Sequence, residues 1–176
     1  MNLKTLILIF VIMGSSKIIF DFNKESTISD WKIVDDVVMG GRSNGSFTLN
    51  NDGHGEFSGV ISLDNNGGFS SVRYRFKEND VANYSTFILK IKGDGKKYQF
   101  RVKSTTNDYH SYIYVIQTDN TWQTIEILFS EMYPAFRGRD LNMVNYPGKE
   151  MEEVAFLIGN KKRESFKLEI DKIELK

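Results

Sequence analysis

Apolar side chains recurring at every second residue constrain this chain more than any other feature. Phe87-Leu89-Ile91, Tyr98-Phe100-Val102 and Phe166-Leu168-Ile170 each alternate with Lys, Gln, Arg or Glu. A strand sends successive side chains to opposite faces, whereas a helix repeats its apolar stripe at three and four. These are therefore half-buried strands. The same reading gives strands at 18–22, 31–34, 46–49, 56–63, 71–76, 109–117, 122–128 and 153–158, about eleven in all, separated by turn residues. That pattern is all-β and predicts an antiparallel sandwich or jelly roll. Only Ser130-Glu131-Met132-Tyr133, ahead of Pro134, reads as a helical turn. Asn50-Asn51-Asp52-Gly53 and Asp119-Asn120-Thr121 read as strand-joining turns.

A chain of 176 residues, 40% hydrophobic and 13% aromatic, has the material for one core, and no repeat or low-complexity linker divides it. Its 23 basic and 23 acidic residues cancel. No overall basic field exists to draw in nucleic acid or an anionic membrane, so neither is an expected partner. The absence of cysteine removes disulfides, thiolate nucleophiles and cysteine-held metal, and two histidines, His54 and His110, leave little for a triad or a histidine metal site. No cofactor, metal or catalytic constellation is expected.

The chemistry-bearing residues lie in glycine-rich connections. The stretch Asp35-Asp36-Val37-Val38-Met39-Gly40-Gly41-Arg42-Ser43 packs two carboxylates, an apolar triplet, a glycine pair, a cation and a hydroxyl into one ordered loop. Adjacent residues of an extended segment point apart, so if 34–37 stays extended Asp35 and Asp36 do not converge as a catalytic pair. Capping of the loop's own amides by one carboxylate is the preferred role, with calcium or another ligand as the alternative. Asn66-Gly67-Gly68-Phe69 repeats the pairing of glycines with polar groups and reads either as a bulged turn with Phe69 in the core or as a presented aromatic. Gly93-Asp94-Gly95 reads as a tight hairpin before Tyr98, the other option being that Asp94 anchors a neighbouring loop or a cation. Phe136-Arg137-Gly138-Arg139 is a basic, aromatic turn, either solvated surface or a planar donor surface. Tyr109, Tyr112, Tyr114 and Trp122 fall on adjacent strands. Since Ile113 and Val115 are the better core residues, the tyrosines either line a concave outer surface, as in sugar binding, or pack inward with satisfied hydroxyls.

Taken in order, Trp31, Asp-Asp-Val-Val-Met-Gly-Gly-x-Ser, Asn-Gly-Gly-Phe, Gly-Asp-Gly-x-x-Tyr, Trp122 and Phe-Arg-Gly resemble the complex I intermediate-associated protein 30 family over about residues 18 to 175. The resemblance implies a galactose-binding-like β-sandwich. It also implies kinship with mitochondrial assembly factors for respiratory complex I, which act as chaperones on membrane-arm intermediates. The expected function is a non-enzymatic module for protein interaction or complex assembly, with an exported carbohydrate-binding module as the alternative. The expected binding residues are Asp35, Asp36, Met39, Gly40, Gly41, Ser43, Asn66, Gly67, Gly68, Phe69, Asp94, Tyr98, Trp122, Phe136 and Arg137, with the stretches Asp35 to Ser43, Asn66 to Phe69 and Phe136 to Arg139 brought together at one rim of the sandwich.

At the start of the chain, Lys4 precedes eight unbroken apolar residues, Leu6-Ile7-Leu8-Ile9-Phe10-Val11-Ile12-Met13, and then Gly14-Ser15-Ser16. This reads as a secretory signal at 1–16, cleaved near Ser16, ahead of a single domain at 17–176, and places the protein outside the cytoplasm, in a periplasm. The arginine- and serine-rich character of a mitochondrial transit peptide is missing. The alternative is a buried strand pair or an uncleaved anchor, which makes the protein cytoplasmic or membrane-anchored through that segment alone.

Overall fold

The structure, a computed structural model, describes residues 16–176, with Glu78 described by its backbone alone. The apolar stretch read as a signal lies outside the described residues. The strands are β1 (Lys17–Asp21), β2 (Trp31–Asp35), β3 (Asn44–Leu49), β4 (Gly55–Ile61), β5 (Ser70–Asp80), β6 (Thr86–Lys92), β7 (Lys97–Lys103), β8 (Ser111–Gln117), β9 (Trp122–Leu128), β10 (Tyr133–Phe136), β11 (Arg139–Asp140), β12 (Glu150–Ile158) and β13 (Glu164–Leu175). Thirteen strands among the described residues replace the expected eleven or so. A six-stranded sheet runs β3-β4-β13-β6-β9, with β1 also pairing β13, and a seven-stranded sheet runs β11-β10-β8-β7-β12-β5-β2. The two sheets face each other across one core, the jelly-roll form of the galactose-binding-like sandwich.

The alternating residues supply that core. Phe87, Leu89 and Ile91 of β6, with Leu168 and Ile170 of β13, are fully buried, as are Tyr98 and Phe100 of β7 and Val154, Phe156 and Ile158 of β12. Burying each such side chain is worth about 1.5–3 kcal/mol. Along β13 the alternation skips a step, from Ile170 to Ile173, because a bulge falls between Ile170 and Lys172. The extra residue, Asp171, turns its carboxylate outward to Lys90 at 3.0 Å. A bulge thus lets one long strand keep its apolar side inward on both sides of an irregularity.

Four local expectations need correction. Tyr133–Phe136 and Arg139–Asp140 form a hairpin rather than only a turn, joined through Arg137 and Gly138, both at positive φ as a two-residue hairpin link requires. The helical turn falls one residue early, as a 3-10 turn at Phe129–Glu131. The Gly93–Gly95 connection is no hairpin, because β6 and β7 belong to different sheets. Finally, Tyr112 and Tyr114 pack into the core with Ile116, while Val115 is 42% exposed and Ile113, though buried, lies outside the main core cluster. Tyr112 packs against Tyr146 with ring centroids 5.1 Å apart, so of the two options for the tyrosines the inward one holds for Tyr112 and Tyr114, and Tyr109 alone stays exposed.

Candidate functional site

The antiparallel registers give the sandwich two ends. Asp35, Ser70, Ile158, Lys97 and Gln117 share the upper one; Trp31, Lys103, Ser111 and Ala135 share the lower. The upper rim carries both glycine-pair loops. Extended backbone stops at Asp35, and Asp36–Met39 coils into a 3-10 turn, so the stretch 34–37 does not stay extended. The two carboxylates diverge all the same. Asp35 accepts from the Gly45 amide at 2.9 Å, whereas Asp36 turns into the molecule and is 0% exposed.

Asp36 ties the rim together. It accepts from the Ser43 amide at 2.9 Å and the Ser43 hydroxyl, both in its own loop, and from the amides of Gly68 at 2.5 Å and Phe69 at 3.3 Å in the other. Burial pushes its pKa up, but the Ser43 hydroxyl and the three amides outweigh burial and hold it below the ordinary 3.8. The glycines are what let the backbones come so close. A Cβ on Gly41 would stand 2.3 Å from Asp36 Cγ, and one on Gly67 2.5 Å from Asp36 Oδ2. Asn65 Nδ2 adds a bond to the Gly40 carbonyl at 3.0 Å. With its polar groups committed inward, the loop turns Val37, Val38 and Met39 to solvent, 59%, 72% and 57% exposed, with Leu63 and Val60 also exposed nearby.

The remaining expected residues divide. Asn66 is exposed on the rim with φ of 59°, and Phe69 is half-buried there. Asp94 lies in the upper connection between sheets, accepting from Tyr98 Oη at 2.9 Å, Lys96 Nζ at 2.6 Å and the Lys167 amide of β13 at 3.0 Å. It therefore anchors one sheet to the other. Tyr98 itself is fully buried, and burial followed by the Asp94 charge pushes its hydroxyl well above the usual range. Trp122 lies elsewhere, on the outer side of the six-stranded sheet, 4.5 Å from His54 and with Lys90 over its ring. Phe136 and Arg137 sit at the lower end, where Phe136 meets Tyr109 at 5.3 Å and the Arg137 guanidinium covers its ring at 5.2 Å. The expectation of one shared rim is thus corrected. The β10–β11 hairpin extends past Ala135, which pairs with the first residue of β8, at the end opposite the glycine loops.

Sequence reasoning missed the outer face of the seven-stranded sheet. In register across it run Lys32, Arg73, Ala155, Arg101, Ile113 and Tyr133, and beside them Arg75, Glu153 and Lys103. Arg75 Nε donates to Glu153 Oε2 at 2.6 Å. Arg101 has only Gln99 Oε1, at 2.9 and 2.6 Å, and Arg73 only Ser71 Oγ, at 3.3 Å, among the described residues. Burial first, and then the Arg73 charge, pull the Arg101 pKa down to about 10. A hollow of about 380 Å³ lined by Asp30, Lys32, Val34, Arg73 and Arg75 opens on this face. The signal was the spacing of Arg73 with Arg75 and of Arg101 with Lys103, two residues apart on strands that become near neighbours only once β12 separates them.

Residues 20–170 match the family described as Complex I intermediate-associated protein 30. The mitochondrial protein of that name from Mus musculus is 26% identical over 189 residues, a match covering 92% of this chain and 56% of the relative. The chain therefore spans about half the length of that relative. Among solved structures, the family 11 carbohydrate-binding module of the cellulosomal cellulase Lic26A-Cel5E of Clostridium thermocellum has a TM-score of 0.66 at 20% identity, covering 92% of this chain and 94% of the module. The same organism's family 11 module in complex with a beta-1,3-1,4-mixed-linked tetrasaccharide has a TM-score of 0.63 at 21% identity, covering 91% and 94%. At that identity the likeness establishes the fold.

Proposed function

Because the chain belongs to the complex I intermediate-associated protein 30 family, we propose that it is a non-enzymatic binding module that docks a protein partner, an intermediate of complex assembly, at its upper rim. One observation carries this reading: three consecutive apolar side chains, Val37, Val38 and Met39, are held out to solvent on a loop fixed by Asp36. An apolar group presented on a rigid frame meets a partner without the entropic cost of ordering a loop, and exposed apolar patches on soluble domains mark interaction sites. The mouse relative, named for its association with a complex I intermediate, is the precedent for the partner's class.

The test is recovery of partners from cell extract with the wild-type chain and with Val37→Ser/Val38→Ser/Met39→Ser. The triple variant is expected to fold, since all three side chains are exposed, and to lose the partner, with affinity falling at least tenfold. Identical recovery by both proteins contradicts the reading.

A second reading, carbohydrate binding, is favoured by the hollowed outer face of the seven-stranded sheet. Its 380 Å³ hollow is within the range of small-ligand sites and is lined by groups able to bond hydroxyls.

A further inference from the structure

The outer face of the seven-stranded sheet contains two neighbouring rows of opposite completeness. In one row Arg75, Glu153 and Lys103 stand side by side on β5, β12 and β7, a carboxylate between two cations. Glu153 is 3% exposed and bonded to Arg75, so this row sets one carboxylate against its two cations. Two residues along each strand, the same three positions hold Arg73, Ala155 and Arg101. The cations are kept and the acid between them is replaced by a methyl group. Strand spacing puts the Arg73 and Arg101 backbones about 9.6 Å apart, close enough for both guanidiniums to reach one carboxylate. Lys32 extends the row on one side; Ile113 and Tyr133 extend it on the other. Asp30 lines the hollow with Lys32 and Arg73, the Asp140 charge acts on Tyr133, and no carboxylate among the described residues pairs with Arg73, Arg101 or Lys32.

From this missing charge we infer that the face binds a carboxylate-bearing saccharide, with one acid group of the sugar chain seated between Arg73 and Arg101, where the neighbouring row carries Glu153. This rests on the carbohydrate reading and narrows it from sugars in general to acidic ones. A peptide is the poorer fit. Arg73, Ala155 and Arg101 stand on β5, β12 and β7, each paired on both sides, so no free backbone edge lies beneath the two arginines for strand addition. A sugar acid needs only side-chain donors, and bidentate arginine is the group suited to a planar carboxylate.

Affinity electrophoresis at physiological ionic strength separates the possibilities. The probes are de-esterified polygalacturonate, the same polymer fully methyl-esterified, and poly-L-glutamate. The proteins are the wild-type chain, Arg73→Gln/Arg101→Gln, and Ala155→Glu, which supplies the missing acid from within. The wild-type chain is expected to be retarded by the acidic sugar polymer at least tenfold more strongly than by its ester or by polyglutamate. Both variants are expected to lose at least tenfold in affinity while keeping the wild-type circular dichroism. If Ala155→Glu does not fold, the arginine double variant decides. Equal retardation by the acid and the ester overturns the inference and leaves the carbohydrate reading standing. Binding of polyglutamate alone, or of the acidic polymer equally by all three proteins, overturns it in favour of an acidic protein segment or general polyelectrolyte attraction. Failure to bind either sugar polymer overturns the inference; the carbohydrate reading falls with it only if neutral polysaccharides also fail to retard the chain.

Discussion

Asp36 shows how one side chain organises a surface it does not belong to. Its carboxylate takes four hydrogen bonds from two loops, two from Ser43 in its own and one each from Gly68 and Phe69 in the other, and each bond to a charged acceptor is worth about 1.5–3 kcal/mol. The pH dependence follows from its depressed pKa. Folded Asp36 titrates below the unfolded value near 3.8, so its contribution is fully present above that pH and is lost as pH falls through the folded pKa. Denaturant unfolding of the wild-type chain and Asp36→Asn is therefore expected to differ by about 3 kcal/mol near neutral pH. The gap should narrow below about pH 3.8. A gap that stays constant down to pH 2 contradicts the assignment. The need for an ordered loop was legible in the motif, and so was an Asp capping its own amides. What was not legible is that the same Asp also caps Asn66-Gly67-Gly68-Phe69, because nothing local in either motif names the other.

Among the elements, the strands that face the core were legible and the connections between them much less so. β6, β7 and β13 announce themselves by alternation. β10 does not, since Pro134 within a four-residue run reads against a strand and is tolerated only because β10 lies near the sheet's edge. The Gly93–Gly95 connection carries the turn chemistry of a hairpin and yet crosses from one sheet to the other, a choice set by which strands pair at long range. This difference makes Asp94 structural. Replacing Asp94 by Ala frees the Lys167 amide, the Tyr98 hydroxyl and Lys96 and is expected to destabilise the fold by about 2 kcal/mol in thermal or denaturant unfolding. Asp52→Ala, in the exposed β3–β4 hairpin, is expected to stay within about 0.5 kcal/mol. Equal effects at the two positions contradict the cross-sheet role.

For the whole molecule, the loops that sequence reasoning had gathered at one rim divide between two ends, and a third surface that it had missed lies between them. Both glycine pairs meet at the upper rim; Phe136 and Arg137 stand at the lower end; the uncompensated arginines lie on the sheet face between. A neutral total charge concealed that face, because composition sums over surfaces and a binding site depends on one. The family and the sandwich were legible from motif order and alternation, while the division of surfaces depends on pairing across β12, which no local pattern contains. The central claim, that the rim meets the partner, is tested most directly by placing a photocrosslinking amino acid at Val38 on the rim and, in a second protein, at Val144, which is exposed but lies outside the rim loops. Irradiation in cell extract is expected to yield a discrete partner adduct from position 38 and none from position 144. An adduct from 144 without one from 38 would contradict the account.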